Sequence, residues 1–216
     1  MTSTTTRSVH TGDAIAWLEQ AALTAEQAIV TSMPDSSELR MDVAKWSQWF
    51  TSTARLICER VADDAVAIFF QTDVKLDGRW IDKAFLVQLG AQQAGTHLLW
   101  HKVVCRAPAG INTRARPAYA HLLCFSRNLR LDPKLGSADV LPALGEMTWP
   151  RAMGIAACEA SAQFLLAHTQ CRTVIDPFCG VGTMLAVANA YELDAIGIEL
   201  SAKRAEQART LSWARP

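Results

Sequence analysis

Apolar positions along the chain fall into short runs that alternate with longer amphipathic stretches. Residues 27–31, 65–70 and 173–175 are short, rich in Ala, Val, Ile or Phe and bounded by polar or turn residues, which predicts buried strands. After the first of them, Val43, Trp46, Trp49, Phe50, Ala54 and Ile57 recur near helical period and predict a long amphipathic helix over residues 37–61. The same reading places short strands at 8–11 and 195–198, and helices at 14–21, 81–93, 154–167, 183–192 and 202–213. Residues 96–105 and 119–126 read as two strands joined by a Pro/Gly/Arg loop and are expected to pair antiparallel at a sheet edge. Residues 71–80 read as a polar loop, 131–149 as an irregular connection around Pro133 and Pro142, and the Ser/Thr-rich residues 1–9 as a frayed terminus. Strand and helix alternate, so the expected architecture is one α/β domain over residues 1–216, a mostly parallel sheet with helices on both faces.

Composition narrows the class. Half of the 216 residues are hydrophobic, enough for a sizeable core, and no apolar run reaches the ~18–20 residues of a membrane span. The six cysteines, Cys58, Cys105, Cys124, Cys158, Cys171 and Cys179, show no C-x-x-C spacing and sit mostly in apolar surroundings. They read as reduced and structural, in a cytoplasmic protein. No His/Cys/acid cluster has ligand spacing, which argues against a metal enzyme. The net charge is zero, yet the stretch between Asp82 and Asp132 has no acid and carries Lys83, Lys102, Arg106, Arg114, Arg116, Arg127 and Arg130. Such a sector either meets phosphates or pairs with acids elsewhere in the chain.

The strongest chemical signal lies near the C-terminus. The strand at 173–175 runs into Asp176-Pro177-Phe178-Cys179-Gly180-Val181-Gly182-Thr183, where a helix begins, and Glu199 stands at the tip of the next strand. Glycines let a backbone approach a ligand closely, and an acid after the second strand suits ribose hydroxyls, so the pattern reads as a nucleoside-cofactor site. A dinucleotide is disfavoured twice. The third small residue of its fingerprint is replaced by Leu185, and Asp176 would repel a pyrophosphate but suits an ammonium group. S-adenosyl-L-methionine carries an ammonium and no phosphate, which makes it the expected cofactor.

These residues, with Ile196-Gly197-Ile198-Glu199, resemble the donor motifs of nucleic-acid amino-methyltransferases. The order along the chain resembles the permuted N4-cytosine/N6-adenine class, in which the catalytic motif precedes the donor motif. The resemblance spans nearly the whole chain. It implies a Rossmann-like methyltransferase fold with seven strands in the order 3-2-1-4-5-7-6, the seventh antiparallel. It implies donor contacts from Asp13, Asp176, Pro177, Phe178, Gly180, Gly182, Thr183 and Glu199, and places Thr148-Trp149-Pro150-Arg151 at the donor's methionine end. Ser32-Met33-Pro34-Asp35 falls where the family carries Asp/Asn/Ser-Pro-Pro-aromatic. Ser32 and the Met33 carbonyl retain the acceptors for a target amino group. The stacking aromatic is replaced by Asp35, which opens a capping box with Glu38 and is either a cap, a general base or both.

Asp73 and Lys75 in the 71–80 loop, Lys83, and Arg114 and Arg116 in the 108–117 loop are the candidate substrate contacts, the arginines through phosphate. His101 and His121 read as satisfied strand histidines. No Pro-Cys pair supports cysteine catalysis. The expectation is a methyltransferase acting on a base nitrogen of nucleic acid. RNA is favoured over DNA because 131–149 is short for a target-recognition insert. Two alternatives stand beside it: methylation of a small molecule or protein, and a non-catalytic subunit that binds nucleic acid or a catalytic partner.

Overall fold

The structure, a computed structural model, describes residues 5–114, 116–134 and 136–215. The chain runs β1 (Arg7–Thr11), α1 (Ala14–Gln20), β2 (Gln27–Thr31), α2 (Ser36–Leu39), α3 (Val43–Arg60) and β3 (Ala67–Gln71). It continues through β4 (Val74–Leu76), β5 (Arg79–Ile81), α4 (Lys83–Gln93), β6 (His97–Cys105), β7 (Tyr119–Ser126) and β8 (Val140–Leu141). It closes with α5 (Ile155–His168), β9 (Thr173–Asp176), α6 (Thr183–Ala190), β10 (Asp194–Glu199) and α7 (Ala202–Thr210).

Eight strands form the main sheet in the order β1-β10-β9-β2-β3-β7-β6-β8. The first five neighbours run parallel, and β7 is antiparallel to both β3 and β6. With β9, β10, β1, β2, β3, β6 and β7 taken as first to seventh, the arrangement is the 3-2-1-4-5-7-6 order with an antiparallel seventh strand. The eighth strand was not expected. It is the two-residue β8, which the 131–149 connection lays parallel to the β6 edge.

The sheet is buried on both faces because successive side chains point to opposite sides. Ala28, Val30, Ile68, Phe70, Leu122 and Cys124 pack against residues of α5 and α6, such as Leu165 and Leu185. Ile29, Ala67, Phe69, Leu123 and Phe125 pack against residues of α1, α3 and α4, among them Leu18, Trp46, Phe50 and Val87. No helix among the described residues is long and apolar enough to cross a membrane.

Three local expectations are corrected. The 37–61 helix is two helices: Arg40 takes a left-handed conformation (φ 54°), and Asp42 starts α3 by accepting from the Lys45 N–H at 3.0 Å. The 71–80 loop contains the β4–β5 hairpin, turned by Asp77 and Gly78, both at positive φ. An Asp-Gly pair is the ordinary signal for such a two-residue turn. The frayed terminus does not extend to residue 9, although residues 1–4 lie outside the described residues. Arg7 opens β1 and stitches it to the C-terminal half: its guanidinium donates to Asn189 Oδ1 at 2.8 Å and the Ala208 carbonyl at 3.0 Å. The Thr6 N–H reaches Asp194 Oδ1 at 2.7 Å.

Neighbouring strands β9 and β2 send their chains in opposite directions across the sheet, β9 toward β10 and β2 toward β3. The carboxyl ends of such a pair frame a crevice, the usual place for a ligand in a doubly wound fold.

Candidate active site

Asp176 ends β9 at this crevice and is buried at 4% exposure. Its Oδ1 accepts from Thr31 Oγ1 at 2.7 Å and from the Phe178 N–H at 3.1 Å. Burial pushes its carboxyl up to about 7, the Glu199 charge adds to the rise, and the two hydrogen bonds only partly offset it. Glu199, at the tip of β10, uses Oε1 for the Ser201 N–H at 2.8 Å and for the Arg204 guanidinium at 2.9 and 2.6 Å. Its Oε2 has no protein partner among the described residues.

A cavity of about 410 Å³ lies between these two acids. Asp13, Asp176, Pro177, Phe178, Gly180, Thr183 and Glu199 all line it, so seven of the eight donor residues expected from the sequence come together there. Asp13 also caps α1 through the Ala16 N–H at 2.9 Å. Gly180 has φ 56°, and a Cβ placed there would come within 3.7 Å of the Trp149 ring.

Gly182 is the exception. It does not line the cavity among the described residues. A Cβ on it would lie 2.8 Å from the Ala208 Cα of α7, and its φ is 87°. The glycine is needed for helix–helix approach rather than for a ligand. Gly182→Ala is therefore expected to lower stability by about 2 kcal/mol through clash and strain. A denaturant melt would show it, and an unchanged midpoint would refute it.

Two lining residues, Trp49 and Arg204, were missed, while Trp149 belongs to the 148–151 turn that the resemblance places at the donor's methionine end. Trp49 of α3 lines the cavity and packs edge-on against Phe178, with ring centroids 6.0 Å apart. Trp149 faces Gly180, and Arg204 both fixes Glu199 and lies over the Trp149 ring. Trp49 belongs to an amphipathic stripe that reads as core. Arg204 sits five residues after Glu199, where an ion pair was open to inspection.

A second, smaller cavity adjoins the first, and Ser32 and Met33 line both. The Ser32 hydroxyl and the Met33 carbonyl have no hydrogen-bond partner among the described residues. The Pro34 carbonyl is taken by Trp46 Nε1 at 3.1 Å.

Asp35 faces the second cavity and is held between two cations, buried Lys83 on Oδ1 and Arg116 on Oδ2, the latter at 2.8 Å. Burial pulls the Lys83 ammonium down from its ordinary value, with Asp35 opposing. At the helix start it is the Asp35 backbone N–H that bonds Glu38 Oε1, at 3.1 Å. The expected capping box is present at the start of α2, and the Asp35 carboxylate also serves the two cations. Catalytic and substrate candidates far apart in sequence meet here, but as an ion-paired group.

The remaining substrate candidates lie elsewhere. Asp73 is 1% exposed and reaches neither cavity. Burial resists its ionisation, but bonds from His121 Nε2 at 3.1 Å, Trp80 Nε1 at 2.9 Å and the Lys83 N–H at 2.8 Å hold its carboxyl below the usual range. Lys75 donates to the Thr113 carbonyl at 2.9 Å and lies over the Trp80 ring, tying the hairpin to the 108–117 loop. Arg114 is exposed.

The acid-free sector is partly paired internally. Arg127 meets Asp63, and Lys102 meets Ser137 and the Ala138 carbonyl. Arg106 has only a 3.5 Å contact with Thr72 Oγ1 and lines the second cavity.

Tertiary structure also groups Asp73, Asp82 and His121, with ligand atoms within 4.8 Å of one another, which no spacing had suggested. Their atoms are already engaged: Asp82 caps α4 through the Phe85 N–H, and His121 bonds Asp73 and His101. Burial raises the Cys179 thiol and the Asp176 and Glu199 charges raise it further, which disfavours a thiolate there.

Neither a protein-family model nor a curated protein matches the sequence. Solved structures do. PvuII DNA methyltransferase (cytosine-N4-specific) superposes with a TM-score of 0.75 at 15% identity, over 96% of this chain and 87% of that one. The chain has the fold of these methyltransferases. TTHA0409 of Thermus thermophilus, a candidate DNA modification methylase complexed with S-adenosyl-L-methionine, gives 0.70 at 18% identity over 94% and 91%. The M1.HpyAVI–SAM complex gives 0.63 at 16% identity over 94% and 98%. On this Rossmann-like methyltransferase fold the larger cavity sits at the carboxyl ends of the central strands, and the smaller one beside it, past the ends of β2 and β3.

Proposed function

We propose that the protein is an S-adenosyl-L-methionine-dependent methyltransferase acting on an amino nitrogen of a DNA base. The observation that carries this reading is the junction of the two cavities: Ser32 and Met33, whose hydroxyl and carbonyl have no protein partner among the described residues, line both a cavity with two acids and a second polar cavity.

The residues of the larger cavity fit the donor. Its volume is in the range of cofactor sites. Asp176 offers a buried carboxylate to an ammonium, Glu199 keeps one oxygen for a ribose hydroxyl, and Gly180 leaves room against Trp149. When bound, the donor supplies an electrophilic methyl on a sulfonium.

The chain's own residues supply position. Ser32 and the Met33 carbonyl accept from the target amine, which turns its lone pair toward the methyl carbon. The N–C bond forms as the C–S bond breaks, and the extra proton leaves the nitrogen afterwards. Such a displacement gains mostly from orientation. Asp35 already faces two cations, so its role in this reading is to hold Lys83 and Arg116 rather than to act as general base.

DNA replaces the RNA preference drawn from the short 131–149 connection. PvuII DNA methyltransferase and TTHA0409 are DNA enzymes by name, and the chain aligns with them over 87% and 91% of their length. The cationic small-molecule alternative loses its main support, because Asp35 is already neutralised. The spare cation of the second cavity, Arg106, suits an anionic strand instead. A non-catalytic role accords poorly with seven donor residues converging on one cavity.

The test is methyl transfer from labelled donor to genomic DNA, total RNA and cell protein in parallel, with Ser32→Ala as control. Label released from DNA by nuclease is expected, and Ser32→Ala should lower kcat at least about tenfold with donor affinity unchanged. Label in RNA or protein alone, or none in any pool, would overturn the DNA reading.

A further inference from the structure

Gln71 ends β3 and lines the second cavity. It is 1% exposed, and both its Oε1 and its Nε2 lack a hydrogen-bond partner among the described residues. A buried amide left unpaired is destabilising, and such groups are rare in folded proteins. Among the charged residues that share this cavity, Lys83 and Arg116 hold Asp35, and Arg151 holds Glu38 at 3.0 Å. The β2–β3 register pairs Thr31 with Phe69, so the chain leaving β2 at Ser32 and Met33 runs beside Phe70 and Gln71. One donor and one acceptor are thus buried without partners next to the two oxygens that await an amine.

We propose that Gln71 determines acceptor specificity by reading the polar edge of the target base. This rests on the methyltransferase reading above and names how that site chooses its acceptor. The class of ligand is a heterocycle with an exocyclic amine beside a ring nitrogen, as in cytosine and adenine. Gln71 Oε1 shares one of the two amine protons, in a three-centre bond, with the oxygen of Ser32 or Met33. Gln71 Nε2 donates to the ring nitrogen, which those oxygens cannot do. With Asp35 in place of an aromatic at the end of the Ser32–Asp35 tetrad, the base is held by its edge rather than by a ring stacked there. A site built to hydrogen-bond an edge discriminates strongly against an analogue lacking one atom of that edge.

The experiment uses single-stranded oligodeoxynucleotides with one cytosine or one adenine, and matched strands carrying 3-deazacytosine or 1-deazaadenine. The full chain is compared with Gln71→Met, which keeps the length and removes the amide. The protein should prefer the natural base over its deaza analogue by at least about tenfold. Gln71→Met should abolish that preference, with the loss in KM rather than kcat and donor affinity unchanged. Its melting temperature should rise, because an unsatisfied buried amide has gone; a structural glutamine would lower it. An active Gln71→Met enzyme that keeps the preference, or a variant that melts lower, would overturn the inference and leave the proposed function standing. A wild-type chain that binds donor but methylates neither base would overturn the proposed function, and this inference with it.

Discussion

Asp176→Asn is expected to make the ligand-free protein more stable above neutral pH while weakening donor binding by at least about tenfold, equivalent to ~1.4 kcal/mol. The carboxyl is raised from the ordinary 3.8 to about 7, chiefly by burial. Its ionised form therefore opposes folding. That destabilisation is fully present above pH 7, fades as pH falls through about 7, and is gone below the ordinary value near 4. About three pKa units correspond to roughly 4 kcal/mol at most. In a chain of this size that is on the order of 10 °C in melting temperature. Asparagine retains an oxygen for Thr31 Oγ1 and the Phe178 N–H, so the local bonds survive. Melts at pH 8 and pH 5 should show a gap between variant and wild type that is less than half as large at the lower pH.

Titration with S-adenosyl-L-methionine supplies the other half. The ammonium prefers the ionised Asp176, so wild-type affinity should fall about tenfold per pH unit below pH 7, while the variant stays flat. A variant that melts lower at pH 8, or that binds donor as tightly as wild type, would remove Asp176 from the proposed donor site.

Lys83→Met is expected to cost about 3 kcal/mol, because it strands the Asp35 carboxylate in a buried position. The Lys83 side chain is 3% exposed and Asp35 11%, while the remaining partner, Arg116, is 40% exposed and less able to compensate. The ammonium also lies near the Trp46 and Phe50 rings, at 5.7 and 5.9 Å from their centroids. Removing both charges, in Lys83→Met/Asp35→Leu, should restore stability to within about 1 kcal/mol of wild type or above it, since a buried ion pair adds little over an apolar one. Urea melts of the four proteins form the cycle. A double variant no more stable than the single one would mean that Asp35 carries packing that leucine cannot replace.

The ion-paired group and the donor cavity differ in how far they could be read from the chain. Donor residues cluster in sequence because one strand–turn–helix unit and the next strand tip build most of that site. The proposed donor residues Asp176, Gly180 and Glu199 stood out for this reason, whereas the strand order was expected only through the resemblance to the permuted methyltransferases. Gly182 shows the limit of motif reading. Its neighbour, Ala208, is 26 positions away, and only packing reveals that the missing Cβ makes room for α7.

Lys83, Arg116 and Asp35 were each singled out, but their mutual neutralisation was not, and it changes Asp35 from a candidate base into a counter-ion. Gln71 carried no local signal at all, since a glutamine at a strand end is ordinary until burial and the absence of a partner are known. The sequence by itself determined most of the elements and the fold class and singled out the proposed donor unit, because periodicity and turn chemistry are local. Tertiary structure alone decided which charges cancel, which glycine serves packing and which polar atoms are left unpaired, because these depend on side chains that the sheet brings together from distant strands.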